Sequence, residues 1–364
     1  MNRLITNILN HTDKQINILI IFLMIISLYL IGEASGFDSV FFFKQLFFIM
    51  LGLIVYYLVS IFNINMIYRY AFFIYLFSIA LLILTLFLGH ESHGSKRWID
   101  LIYFKLQTSE IIKLTLPIVL VKVYDMNKKR SIHFNEIFAL ALTIIPFLLI
   151  FVQPDLGTSL IILFTGFLII FLNGLNYKKI LFIILSFLII SPYLWINVLK
   201  DYQKSRVLNL LDPFSNPLEG GYHSIQASIA IGSGGLFGRN SSSASQVDLS
   251  FLPETHTDFI FAVLSEHYGF IGNIIFFTVV ILLISRAMHI SLNLHSHVNR
   301  VLASTYVIIF TLCFFINVAM VSGLIPIVGV PLPIISYGGS ALIVYLILFG
   351  FINSLNNNKT LIAD

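Results

Sequence analysis

Phe251 to Asn273 reads FLPETHTDFIFAVLSEHYGFIGN, and Ile274 to Ile284 continue it with IIFFTVVILLI. Five polar residues, Glu254, Thr255, His256, Thr257 and Asp258, stand directly before an apolar run. A second polar pair, Glu266 and His267, follows about two helical turns further in. The stretch Asp258–Arg286 is 29 residues long. As one helix it would reach about 43 Å, against a bilayer hydrocarbon core of about 30 Å. It is therefore expected to tilt, to break near Gly269 and Gly272, or to begin outside the hydrocarbon. A carboxylate at Asp258 then sits where a hydrophobic span starts.

The whole chain repeats this chemistry. It has 364 residues, of which 58% are hydrophobic and 10% charged, and its mean hydropathy is +0.94. A soluble domain is about a quarter charged. An apolar excess spread over this length has the bilayer as its solvent. The net charge of +4 is small for the size, and no basic run carries interleaved aromatics, so nucleic acid is not an expected partner. Cys313 is the only cysteine, so no intramolecular disulfide forms and the redox compartment is not readable. The first apolar run, Ile16–Ile31, lacks a small-residue cleavage site and leads into further spans, unlike a cleaved signal.

The fold class expected is all-α, a polytopic membrane bundle forming one membrane domain over 1–364. On a ruler of about 20 apolar residues per span, ten spans fall near 16–34, 40–62, 67–89, 108–124, 135–152, 157–173, 179–199, 258–286, 301–321 and 336–355. One set of short loops and ends collects Arg3, Lys14, Arg69, Lys122, Lys128, Lys129, Arg130, Lys178, Lys179, Arg286, Arg300 and Lys359. The other set holds Lys96, Arg97 and Lys105. By the positive-inside rule both termini are cytoplasmic and the long loop, about 200–257, is extracytoplasmic. Short repeats, a soluble domain and low-complexity tracts are absent, apart from Ser241–Ser243.

Polar residues in or beside spans are expensive and call for a reason. They gather on the outer side. Glu110 opens the fourth span with Lys113 one turn later, a spacing suited to an ion pair; it reads either as a structural bridge or as the lining of a polar cavity. In QPDLGTSL (153–160), Asp155 reads as a helix N-cap that also has the chemistry to hold a cation. Arg206 has the chemistry to pair with a phosphate, although a single surface arginine is usually only solvated. IAIGSGG (229–235) has apolar neighbours that suit a loop lying on or dipping into the membrane. PLPIISYGGS (331–340) gives a non-helical entry to the last span, whose amides either face an anion or simply start a helix. Three motif-like strings fail on spacing: Gly89–Lys96 is not a phosphate loop, His90–His93 is not a zinc protease site, and Gly232–Phe237 is not a dinucleotide fingerprint. Transporters place such groups near the midplane on broken helices. Their placement at the outer interface fits chemistry on a lipid-attached polar substrate better.

These motifs, taken together, resemble the SEDS family (shape, elongation, division and sporulation). The matching segments are GSKRWIDL (94–101), QTSEIIK (107–113), QPDLGTSL (153–160), the long stretch 202–238, LPETHTDFIFAVLSEHYGFIGN (252–273) and GLIPIVGVPLPIISYGGSA (323–341). They occur in family order over nearly the whole chain. Short termini and GVPLP (329–333) are closer to its rod-shape branch than to its division branch.

The resemblance implies a peptidoglycan glycosyltransferase of the bacterial cytoplasmic membrane. Such an enzyme polymerises lipid II during elongation and works with a class B penicillin-binding transpeptidase and other elongation-complex membrane proteins. It implies Asp258, the Asp of HTDF, as the catalytic acidic residue. It also implies substrate contacts at Arg97, Gln107, Glu110, Lys113, Asp155, Arg206, Gln226, His256, Thr257, Ser336, Tyr337 and Gly338. No organic cofactor is expected; a divalent Mg or Mn ion is a candidate, with Asp155 and Asp258 as its candidate ligands. The base would deprotonate the acceptor 4-hydroxyl, with polyprenyl pyrophosphate leaving and Arg97, Lys113 and Arg206 offsetting its charge. An N-cap role is the plain alternative for Asp258. A lipid II flippase and a non-catalytic scaffold for the transpeptidase are the competing functions; the charge gathered on one side disfavours a polar path through the membrane. The chain departs from the family pattern at Thr108, Ala227, Asn240 and His267.

Overall fold

A helix stands on every one of the ten expected spans in the computed structural model, which describes residues 12–36, 38–92, 95–101, 104–126, 132–174, 177–199, 201–212, 221–239 and 255–357. Arg3, Lys128–Arg130, Lys359, Glu254, the Asn240 departure and the Ser241–Ser243 tract lie outside the described residues. In chain order the elements are α1 (Lys14–Ala34), α2 (Ser39–Ile61), the short α3 (Ile64–Arg69), α4 (Ala71–Leu88), β1 (His90–Ser92), β2 (Ser95–Leu101) and β3 (Phe104–Gln107). Then come α5 (Thr108–Met126), α6 (Ile132–Val152), α7 (Leu156–Leu172), α8 (Tyr177–Asn197), α9 (Asp201–Leu211), α10 (Tyr222–Ser233), α11 (Ile260–Leu292), α12 (His297–Val321) and α13 (Gly339–Asn357). By length and composition, seven of the described helices can cross a membrane: α1, α2, α4, α6, α11, α12 and α13. The chain is a multi-pass membrane protein.

The same physics that makes these helices sorts them by depth. Within the bundle α13 has 83% of its apolar window buried and α2 only 28%, so α13 is central and α2 faces lipid. α13 packs against α2, α12 and α5, while α11 packs against α1, α12 and α10. Large apolar side chains such as Phe73, Phe87 and Ile189 are left outside, where hydrocarbon covers them. Helix starts are sealed by side chains: Asp13 accepts from Gln15 and Ile16 amides, Asp38 from Val40, and Asp155 from Thr158.

Two segments read from sequence as loops carry regular structure. Residues 90–107 form an antiparallel three-stranded sheet in the order β1-β2-β3, with Trp98 opposite Gln107 and Asp100 opposite Lys105. The 200–257 segment carries α9 and α10. Ala227 and Ala230 of α10 are buried, whereas Ile229, Leu236 and Phe237 on and after it are exposed.

The expected break in the long span occurs at Gly269, whose φ of 62° and ψ of −158° lie outside the helical region. A break inside a bilayer orphans backbone groups, and these must find partners in protein. The segment after α10 supplies them: Phe270 N–H donates to Gly235 O at 2.9 Å and Ile271 N–H to Leu236 O at 3.1 Å, while Arg239 N–H donates to Glu266 O at 2.9 Å. So close an approach excludes side chains: a Cβ on Gly238 would stand 2.0 Å from His267 O. Asn273 braces the break by donating to Ser265 Oγ at 3.1 Å.

Candidate active site

The turn 255–259 ahead of α11 is held by its carbonyl groups. Tyr337 N–H donates to His256 O at 2.8 Å, and Ser336 Oγ donates to Thr257 O at 2.6 Å. Asn317, fully buried on α12, uses its amide for Asp258 O at 2.9 Å and Val330 O at 2.7 Å. Three successive carbonyls are thus positioned by α12 and the loop that leads from it to α13. That loop is itself anchored, because Ser27 of α1 donates to Ile335 O at 2.7 Å and Gln45 of α2 donates to Ser27 Oγ at 3.1 Å. Buried Ile334 sits at φ 69°, a costly conformation for a β-branched residue, which persists only where surroundings over-determine it.

Asp258 stands one residue before the N-cap of α11. The N-cap position of α11 is Phe259, with no side-chain cap hydrogen bond. The half-buried Asp258 carboxylate instead lies over Gly329, where a Cβ would stand 3.4 Å from Oδ2 and where φ is 71°. Beside it, the ring of His256 meets Phe41 at 4.7 Å and Tyr337 at 5.7 Å between centroids.

Asp155 is the centre of a second assembly. It caps α7, Gln107 donates to its Oδ2 at 3.3 Å, and Arg97 Nη1 lies 3.9 Å from its Oδ1. Arg97 also donates to the carbonyls of Gln153 and Pro154. The sheet explains the meeting: β2 carries Arg97 next to Trp98, and Trp98 is paired with Gln107 at the end of β3. Asp155 therefore caps its helix and also meets Gln107 and Arg97 with the same carboxylate.

Lys113 and Glu110 form an ion pair at 2.6 Å with both side chains 1% exposed, and the ammonium lies over the Tyr345 ring at 5.6 Å from its centroid. The second oxygen of Glu110 is buried without a hydrogen-bond partner. Such a pair is costly to break, since removing one partner strands a buried charge.

Loop 327–330 joins the assemblies. Arg206 of α9, exposed on the surface, donates to Ile327 O at 2.8 Å. Val328 O lies against Gly157 at the start of α7, 2.8 Å from where a Cβ would be. Gly329 faces Asp258. The structure thus brings Arg206, the Asp155 end of α7 and Asp258 to one short stretch, as expected of a shared site. Gln226 is half-buried on α10. The amides of Ser336 and Tyr337 already donate to Leu332 O and His256 O, which leaves the expected anion contact to Gly338 and beyond. A side chain at Gly338 would meet nothing within 4 Å, so the space there is open.

The residues do not form a metal cage. Among the described residues no three His, Cys, Asp or Glu side chains stand together. Both oxygens of Asp155 are engaged by an amide, a carboxamide and a guanidinium, the environment of an anion rather than of a metal ligand.

Asn317 went unnoticed in the sequence, although an amide inside FFINVAM is a polar group in a span. Phe41 carried no signal at all.

The comparisons with known proteins agree with this architecture. A family profile described as cell cycle protein, FtsW/RodA/SpoVE, matches residues 11–361. Peptidoglycan glycosyltransferase MrdB of Escherichia coli K12 is 38% identical over 353 residues, covering 97% of this chain and 95% of that protein. Stage V sporulation protein E of Bacillus subtilis is 34% identical over 276 residues, covering 75% of each. A chain solved in work on structural coordination of polymerization and crosslinking by a peptidoglycan synthase complex superposes with a TM-score of 0.82 at 29% identity, covering 96% of this chain and 98% of that one. The rod shape determining protein RodA of Thermus thermophilus gives 0.72 at 25% identity, covering 96% and 97%. The chain belongs to the FtsW/RodA/SpoVE family.

Proposed function

We propose that this protein is a peptidoglycan glycosyltransferase that polymerises lipid II at the extracytoplasmic face of the bacterial cytoplasmic membrane, with Asp258 as its general base. The observation that carries the assignment of the base is the turn before α11. Asp258 does not occupy the cap of its own helix, and its backbone is fixed by Asn317 from another. A carboxylate fixed in that way at the end of a bundle suits proton abstraction from a membrane-anchored sugar.

In the reaction, Asp258 takes the proton of the acceptor's 4-hydroxyl as that oxygen bonds to the donor's anomeric carbon. The bond from that carbon to the pyrophosphate oxygen breaks, and polyprenyl pyrophosphate leaves with the electron pair. A pyrophosphate needs little protonation to depart, so one carboxylate suffices where glycosidases use two. Arg206, exposed on α9 and bound to Ile327 O two residues before Gly329, offsets the leaving charge. Arg97 and Lys113 act from behind, by holding Asp155 and Glu110. A structural relative's link to coordinated polymerization and crosslinking supports a class B penicillin-binding transpeptidase as partner. The Lys and Arg distribution supports both termini in the cytoplasm.

The test is polymerisation of labelled lipid II by the purified protein with its transpeptidase, the partner's crosslinking being blocked. Asp258→Ala is expected to fold, to bind the partner and to lose about 10²–10⁴-fold in rate. Equal strand synthesis by both proteins would put the base elsewhere. No synthesis by either, with partner binding intact, would favour the flippase or the scaffold.

A further inference from the structure

Between α1 and α11, where α11 breaks, lies a groove of about 300 Å³. Ile25, Ile26 and Leu30 line one wall and Leu264, Ile275 and Phe276 the other, and among the described residues the polar side chains on it are Tyr29 and Tyr268. Both walls belong to helices long and apolar enough to span the membrane. The natural occupant of such a groove is therefore a hydrocarbon chain.

Polarity rises in order from the groove towards the Ala34 end of α1. Tyr29 and Tyr268 meet edge to face with centroids 6.0 Å apart. About one turn on, Glu33 Oε2 lies 3.9 Å from His267 Nδ1, both side chains being buried. Thr255 Oγ1 then donates to Ala34 O at 3.4 Å, three residues before Asp258. His267 Nε2 is buried with no hydrogen-bond partner. Its other nitrogen faces a carboxylate, and an Nε2–H donor at this point has the chemistry to meet a phosphate oxygen. Beyond the aromatic edge of the groove, the buried imidazole and the Asp258 turn follow in order along α11 and the turn before it.

We propose that this groove holds the isoprenoid chain of the lipid-linked substrate, with His267 beside its diphosphate. The proposal rests on the glycosyltransferase reading above and specifies where the lipid enters. Continuity with the Asp258 turn selects the lipid-linked substrate over a bulk phospholipid, whose headgroup brings a phosphate but no sugar to Asp258.

The experiment uses the full chain in lipid nanodiscs and two photoreactive probes. One is a polyprenyl diphosphate with a diazirine in its chain; the other is phosphatidylglycerol with a diazirine in an acyl chain. The first is expected to label segments 25–30 and 264–276, with the label lost on adding unlabelled polyprenyl diphosphate. The double variant Ile25→Trp/Ile275→Trp, altered at lipid-facing positions, should lose that label. It should still make strands from a short-chain lipid II analogue while failing with the full-length chain. His267→Leu should remove the advantage of polyprenyl diphosphate over polyprenol as competitor. Equal labelling by phosphatidylglycerol, label confined to other helices, or displacement by the transpeptidase's membrane helix alone would overturn the groove assignment. Correct labelling without strand synthesis would leave the groove in place and refute the transferase instead.

Discussion

The two ends of the bundle are built differently. At the end away from Asp258, side chains satisfy side chains. Arg286 grips Asp13 with two nitrogens, at 2.6 and 3.2 Å, and the Asp13 amide donates to Asn353. Asn353 donates to Tyr56, Tyr56 to Asn17, and Asn17 to Thr12, so α1, α2, α11 and α13 are clasped by one chain of hydrogen bonds. Glu136 and Lys179 likewise tie α6 to α8. At the Asp258 end, side chains instead hold backbone carbonyls, glycines allow backbone to meet backbone, and a helix is interrupted. One end fixes which helices are neighbours, and the other fixes the shape of a surface between them.

That contrast can be broken most forcefully at the buried pair. Lys113→Met leaves Glu110 buried without its cation and is expected to lower stability by about 3–5 kcal/mol. The double variant Glu110→Gln/Lys113→Met should recover most of the loss in a detergent unfolding midpoint. A single variant as stable as wild type would mean that the pair is not desolvated in the membrane.

Asn317→Leu tests the carbonyl-holding end. Two buried carbonyls lose their donor, at about 1–3 kcal/mol for a stranded group. The prediction is a fall in strand-synthesis kcat that exceeds any change in the fraction folded, because the Asp258 turn is freed. Arg286→Ala probes the clasp, where the pair is partly exposed and worth about 1 kcal/mol or less. Its unfolding midpoint should fall slightly while kcat of the folded fraction stays unchanged. If Arg286→Ala reduced kcat as much as Asn317→Leu does, the division of labour between the ends would be wrong.

The smallest effect is in pH. Burial pushes the Asp13 carboxyl up, but hydrogen bonds from Arg286 and from the Ile16 and Gln15 amides outweigh it and hold it below its ordinary value of 3.8. The folded state thus binds that proton less readily than the unfolded one. The clasp's contribution is complete above the ordinary carboxylate value and disappears as pH falls through the lowered one. Wild type and Asp13→Asn should therefore differ in unfolding midpoint at neutral pH and converge in strong acid.

The spans and the break were legible because length and hydropathy alone require them: 29 residues from Asp258 to Arg286 do not fit a hydrocarbon core. The sheet at 90–107 was hidden, since its strands are short and its alternation is interrupted by HGSKRW and LIYF. α9 and α10 were hidden for a different reason: polar and glycine-rich turns surround them, and α10 is held by packing against α11 and α12. At the site, Asp258 and Asp155 stood out as charges beside apolar runs. Their partners did not, because a carbonyl carries no sequence label. Neither the contact of Arg97 with Pro154 O nor that of Asn317 with Val330 O is visible before the chain is folded.

The break at Gly269 also decides how force travels in α11. In an unbroken helix a twist at one end is passed on by the hydrogen-bond ladder. Here two donors of that ladder, on Phe270 and Ile271, are tied to Gly235 and Leu236 instead. Torque applied to the lower half is shunted into the segment after α10. The upper half, with Asp258 at its head, is steered by that segment rather than by the rest of its own helix.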